Sequence, residues 1–172
     1  IAVDGTYNNT NIKNIKGCLE TNLNMGYYNV TKNIPIDITY CGEENKNREI
    51  LQLKKYINSN KLKNVILVLD RAYFSYDFIN FLDTQNLKYV IRVRNNCLML
   101  DKNKGKHKNK INNKNVRFIT YKTDRYVVKK DKNNLDTKLK ETLECNIITN
   151  LSLNEYKDDE IKNIYLSRWD IE

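Results

Sequence analysis

Three carboxylates, Asp4, Asp70 and Glu172, stand where a fold can present them to a ligand. Asp70 directly follows residues 65–69, an unbroken apolar run of five. A strand apolar on both sides is buried on both sides, as in a parallel sheet, and open α/β sheets bind ligands beyond the carboxyl ends of their strands. The same position also suits an aspartate that only caps a turn. Arg71, next in the chain, can neutralise a bound phosphate or pair with Asp70 itself. Glu172 closes a segment, 154–172, whose apolar residues recur with a helical period. At about 100° per residue, Ile161, Tyr165, Arg168 and Glu172 share one narrow sector, flanked by Ile164 and Ile171 on one side and Trp169 on the other. Lys162, Asn163 and Asp170 lie opposite or to the side. A carboxylate and a guanidinium in the middle of an apolar face are costly to bury unless paired or used. An Arg168–Glu172 ion pair one helical turn apart is the structural alternative, although such pairs ordinarily occupy the wet face. Asp4 ends a strand-like segment, and Gly5 after it allows a close backbone approach but equally signals a turn.

Together the three acids suggest phosphoryl transfer. Two hard cations about 3.5–4 Å apart need several carboxylate oxygens, usually one of them shared, to activate a water and stabilise a leaving oxygen. Other ligands are scarce. There is one histidine, His107, and Cys18, Cys41, Cys97 and Cys145 contain no C-x-x-C pair. This argues against zinc sites of the usual spacing and, without a secretory signal, against a disulfide framework. Oxygen-only ligation suits Mg²⁺ or Mn²⁺, two ions in all. Clustered carboxylates repel one another, so the site is expected to be unstable without cations. Asp37 is a rival acid, but its alternation with isoleucines puts it on the polar side of a strand.

These residues need an α/β frame. Residues 1–6 read as the end of a strand, and 7–33, rich in Asn, as a strand or two with loops. Residues 30–40 alternate like a half-buried strand, with Pro35 marking an edge. From 44 to about 60 the period is helical, with Ile50, Leu51, Leu53, Lys54 and Ile57 on one stripe. After the strand at 65–69, Ser75 can cap a helix with core residues Phe78, Ile79, Phe81 and Leu82, and 88–94 is a further strand. This alternation of helix and strand predicts an α/β layer architecture. Strands at 116–129 and 144–151, separated by polar linkers, precede the last helical segment.

Length and composition fit one globular domain: 172 residues, 40% hydrophobic and 30% charged. No stretch approaches the roughly 20 apolar residues of a membrane span, and the reading is a cytoplasmic protein. The net charge of +9 favours a polyanionic partner such as nucleic acid. Part of it reflects a composition with 28 asparagines and many lysines. Residues 101–117 alone contribute +6 and form either a phosphate-tracking surface or a solvated Lys/Asn loop. Both chain ends look cut, which predicts a fragment of a longer protein.

The residues also resemble a family. Tyr165, Arg168 and Glu172 match the Tyr, two residues, Arg, three residues, Glu signature of DDE-type cut-and-paste insertion-sequence transposases. The preceding Thr149, Asn150 and Leu151 resemble the Thr-Asn-Leu that introduces that segment. Leu69, Asp70, Arg71, Ala72 and Tyr73 resemble a strand ending in Asp-Arg-Gly-Tyr, with Ala72 in place of glycine. Asp4, Gly5 and Thr6 resemble the first-strand Asp-Gly-Thr. The signature's closing basic residue falls beyond the end of the sequence. The resemblance implies a ribonuclease H-like mixed sheet flanked by helices, with residues 95–150 as a β-rich insertion before the last catalytic helix. It implies Asp4, Asp70 and Glu172 as a metal-holding triad, and Tyr165 and Arg168 as holding transposon-end DNA, with Arg71 nearby. It implies DNA ends and a DNA target as partners, a homodimer assembled on DNA, and hydrolysis that frees a 3′-hydroxyl to attack another phosphodiester. Two alternatives stay open: a DNA-binding remnant without catalysis, and a metal-dependent nuclease of the same fold.

Overall fold

The computed structural model describes residues 1–13, 19–41, 48–95, 100–101, 106–107, 110–111, 114–130 and 136–168. Glu172, Ile171, Asp170, Trp169, Cys18, Cys97 and the helical start expected at 44 lie outside the described residues. The elements run β1 (Ala2–Lys13), β2 (Leu19–Asn29), β3 (Ile34–Tyr40), α1 (Arg48–Asn60), β4 (Ile66–Leu69), a 3₁₀ turn (Arg71–Tyr73), α2 (Tyr76–Thr84) and β5 (Lys88–Val93). Four two-residue strands follow, β6 (Leu100–Asp101), β7 (Lys106–His107), β8 (Lys110–Ile111) and β9 (Lys114–Asn115), then β10 (Arg117–Lys130), β11 (Asp136–Thr149) and α3 (Asp158–Leu166). Within the basic run, β6 pairs with β7 and β8 with β9.

Seven strands form one mixed sheet in the order β10-β11-β5-β4-β1-β2-β3. Strands β1, β4 and β5 are parallel, while β2, β3, β10 and β11 join antiparallel. The short strand β4 lies inside the sheet, and Leu67, Val68 and Leu69 are fully buried, as an apolar run without alternation requires. One sheet face, with Val3, Leu67, Leu69 and Ile91, packs against Leu53 and Ile57 of α1 and Phe78, Ile79 and Leu82 of α2. The other face, with Ala2, Val68, Val90 and Ile147, packs against Ile161 and Tyr165 of α3. The result is the expected α/β architecture of a mixed sheet between helices.

Several boundaries differ from those expected. Strand β1 does not end at Asp4 but runs on to Lys13, because β2 pairs with it over that length. Strand β3 is an edge strand, as Pro35 indicates, yet it is not half-buried: Ile34, Ile36 and Ile38 are 49%, 45% and 68% exposed. Alternation describes which residues share a face but does not say that a layer covers it. Leu51 is exposed while Tyr56 joins the core, stacked on Tyr27 with ring centroids 3.6 Å apart. The expected polar linker before 144 is largely strand, since β11 pairs with β10 from Asp136 onward. The described part of α3 starts at Asp158, four residues later than the helical period suggested.

Two capping features behave as their residue types dictate. Ser75 caps α2, its hydroxyl accepting from the Phe78 amide at 3.1 Å. Asn150 joins the end of β11 to β5: its amide group donates to the Leu87 carbonyl at 2.9 Å, and its Oδ1 accepts from the Tyr89 amide at 3.1 Å. The Thr149 hydroxyl donates to the Tyr89 carbonyl at 2.6 Å and accepts from the Leu151 amide at 3.1 Å. The Thr-Asn-Leu run is thus a backbone lock between strands. Asn150→Ala is expected to cost about 2–3 kcal/mol by leaving inner backbone groups unpaired. At roughly 2–4 °C per kcal/mol for a domain of this size, a thermal melt should fall by about 5–10 °C. An unchanged melt contradicts the lock.

Buried tyrosines make the fold sensitive to alkali. Burial pushes Tyr27 up to about 12, and it also raises Tyr73, Tyr89, Tyr121 and Tyr165. A phenol whose folded pKa is raised contributes stability that is complete below its unfolded value and is lost as pH rises through the folded value. Stability should therefore hold up to about pH 10, the ordinary phenol value, and decline above it. Phenolate absorbance should rise together with loss of the circular-dichroism signal. Ionisation of all twelve tyrosines near pH 10 in an intact fold would contradict this.

Candidate active site

The sheet register brings the first two acids together. Ala2 of β1 pairs with Val68 of β4, and Val68 with Val90 of β5. Alternate residues of a strand share a face. Two residues on, Asp4 of β1, Asp70 directly after the end of β4 and Arg92 of β5 therefore fall on the face that α3 covers. Neighbouring strands are about 4.8 Å apart, so the Asp4 and Asp70 backbones are close neighbours at the carboxyl end of β4.

Asp70 is held by its own turn. Its backbone is extended (φ −77°, ψ 175°), and its carboxylate accepts from the Ala72 amide as the cap of the 3₁₀ turn. Tyr73 anchors that turn in the core. The capping and functional readings of Asp70 are thus compatible: one oxygen is engaged, and a carboxylate retains further acceptor capacity. Arg71 is exposed on the same turn.

Asp4 has a cationic partner. The Arg168 guanidinium lies 3.8 Å from its Oδ1; the Arg168 side chain is 5% exposed and that of Asp4 52%. Arg168 follows α3, yet its amide bonds to the Tyr165 carbonyl at 3.1 Å and Ser167 stays right-handed helical, so the chain keeps its helical heading. This preserves the sector expected from the sequence: Ile161, Tyr165 and Arg168 are all buried. The Arg168 guanidinium carbon is 6.0 Å from the Tyr165 ring centre. Burial raises the Tyr165 pKa, and Arg168 and Arg92 oppose that rise. Arg168 therefore pairs with an acid on β1, and Asp4 does not stand uncompensated as a bare acidic cluster would. A groove of about 280 Å³ opens beside the pair, lined by Asp4, Thr6, Asn24, Gly26, Tyr28, Ile38 and Arg168.

Two residues that sequence reasoning missed also face this region. Arg92 interrupts a stretch of β5 in which Tyr89, Val90, Ile91 and Val93 are buried; a cation within an apolar run was the available signal. Glu49, in the first turn of α1, lies against β1 at Gly5. Burial raises its pKa; the Tyr73 and Tyr7 hydroxyls oppose the rise, and Asp70 and Asp4 add to it. An acidic residue in a first helical turn is ordinary, so nothing local marked it. Among the described residues no three His, Cys, Asp or Glu side chains surround one point closely enough to hold a metal. The third expected acid, Glu172, is outside those residues.

A sequence model of the transposase DDE domain matches residues 2–172. The chain belongs to the transposase DDE domain family. Comparison with curated proteins gave no match. Members of this family generally use divalent metals, and DNA is the partner that membership implies. No described helix is long and apolar enough to cross a membrane.

Proposed function

We propose that this chain is the catalytic core of a DNA transposase that cuts transposon ends and joins the freed 3′-hydroxyl to target DNA. The observation that carries the proposal is the pairing of Ala2 with Val68, two residues before Asp4 and Asp70, with Arg168 against Asp4. The strand order β3-β2-β1-β4-β5, antiparallel then parallel, supports a ribonuclease H-like frame, with β10 and β11 added beside β5 and before α3.

The donor set fits hard divalent cations. Asp4 and Asp70 offer only oxygen acceptors, and Asp4 lines an open groove. With Glu172 they would hold two Mg²⁺ or Mn²⁺, which supply Lewis-acid activation of the attacking oxygen and charge relief at the leaving oxygen. The chain's own residues then have separable tasks. Arg168 and Arg92 place fixed positive charge beside the acids, where a backbone phosphate must enter. Tyr165 is buried, so its task is to back Arg168, which lines the groove. Arg71, exposed on the turn after Asp70, meets a phosphate further along the strand. A homodimer assembled on DNA completes the proposed particle.

The test uses the full-length protein and a linear DNA carrying its element's end. Mg²⁺-dependent nicking followed by joining to a second DNA is the expected result. Nicking without joining favours a nuclease, and binding without nicking favours a non-catalytic remnant.

A further inference from the structure

We infer that Tyr28 binds the DNA strand in the groove, its hydroxyl donating to a backbone phosphate held at Asp4. The inference rests on the proposed role of Asp4 as an acid that acts on DNA. The sheet register supplies the first observation. Gly26 of β2 pairs directly with Asp4 of β1, and Tyr28 pairs with Ala2. Opposed residues of an antiparallel pair share a face, so Gly26 and Tyr28 stand on the face that bears Asp4. A Cβ built at Gly26 would lie 2.9 Å from Tyr28 Cε2 and 3.6 Å from both Cζ and the hydroxyl oxygen. The far end of the ring is thus what lies over Gly26. The Tyr28 side chain runs along β2 from its own position to the one facing Asp4. Opposed Cβ positions are about 5 Å apart, which puts the hydroxyl within about 9 Å of the Asp4 Cβ. A single nucleotide fills such a gap.

The two ends of this side chain meet different surroundings. Tyr28 packs against the buried cluster that includes Ala2 and Val68, and it lines the groove together with Asp4, Gly26 and Arg168. Among the described residues its hydroxyl has no hydrogen-bond partner. Packing asks for the ring and not for the hydroxyl, so a phenylalanine would serve the fold as well. Gly26 points the same way. Its φ is outside the left-handed region, so its backbone conformation does not demand glycine. Glycine inside a strand gives up packing and marks a place where another group comes close; here that group is the tip of the Tyr28 ring. A neutral O–H donor also suits the place. It can bond a phosphate oxygen without setting a second positive charge against Asp4 beside that of Arg168.

The test uses the full-length protein, with Ca²⁺ replacing Mg²⁺ in the binding steps, and a linear DNA carrying the element's end. Its backbone phosphates are ethylated at random, at most one per strand, and a phosphate whose ethylation blocks binding is one the protein contacts. Tyr28→Phe keeps the ring and loses the donor. It should melt like the parent and bind the unmodified end about tenfold more weakly, as loss of one hydrogen bond to a charged group implies. It should also become indifferent to ethylation at one of the phosphates the parent senses. Gly26→Ala pushes the ring tip aside and should weaken binding similarly, yet add nothing in Tyr28→Leu, where no ring reaches Gly26. An ethylation pattern in Tyr28→Phe identical to that of the parent would overturn the inference, while Mg²⁺-dependent cutting by the parent would leave the proposed function standing. Additive losses from Gly26→Ala and Tyr28→Leu would overturn the inference as well. A parent that binds the end without cutting it removes the catalytic role, and the ethylation pattern still decides the Tyr28 contact. A parent that binds no DNA overturns both.

Discussion

Replacing Asp70 by alanine in the full-length protein is expected to lower single-turnover cleavage of the element's end by on the order of 10³-fold or more. The strand before Asp70 is fully buried and does not depend on its side chain, so the fold should persist. The carboxylate also caps the 3₁₀ turn through the Ala72 amide, and loss of a cap costs about 1 kcal/mol. Asn is the informative control. Asp70→Asn retains an acceptor for Ala72 but removes the charge, so it should melt near the parent and be as inactive as Asp70→Ala. If capping were the only role of Asp70, Asp70→Asn would stay active and only the alanine variant would suffer.

Arg168→Ala is expected to have the second-largest effect, about 10²–10³-fold on cleavage, the usual consequence of removing a fixed charge aimed at a reacting phosphate. Its stability effect should come mainly from lost packing, because Arg168 is buried whereas Asp4 is half exposed and water can solvate it. Lysine preserves the charge but lacks the planar fork and rests less well against Tyr165. Arg168→Lys should therefore retain more activity than Arg168→Ala while staying below the parent. Parent-like cleavage by Arg168→Ala would remove Arg168 from the site.

The local parts of this site were legible because local patterns set them. An apolar run without alternation marks a strand buried on both faces, and that run positions Asp70. A helical sector predicts that Ile161, Tyr165 and Arg168 go inward, and they do. Ser75 caps α2 as a serine before an apolar helical stripe should. The register between distant strands was not legible. Nothing near Asp4 indicates that Ala2 pairs with Val68, and that pairing is what brings Asp4 beside Asp70. The Arg168–Asp4 pair and the Glu49 contact with Gly5 arise the same way, from helices laid across strands far away in sequence. Exposure of β3 was missed for a related reason: Ile34, Ile36 and Ile38 have the pattern of a covered face, but coverage depends on where the helices lie. Asp37 shows the same limit. Its carboxylate accepts from the Ile38 amide at 2.8 Å and it faces Tyr56, a core residue, rather than Asp4, while the isoleucines that alternate with it are the exposed ones, so alternation separates the two faces without saying which is covered.

The most direct test of the central claim is iron-directed cleavage of the full-length protein. Fe²⁺ takes the place of Mg²⁺, and with ascorbate and peroxide it cuts the polypeptide near the groups that hold it. The account predicts cuts clustered at residues 4, 70 and 172, suppressed together by excess Mg²⁺ and lost together in Asp70→Asn. Cuts at 4 and 70 without 172, or cuts that survive Asp70→Asn, would contradict a shared metal site of Asp4, Asp70 and Glu172.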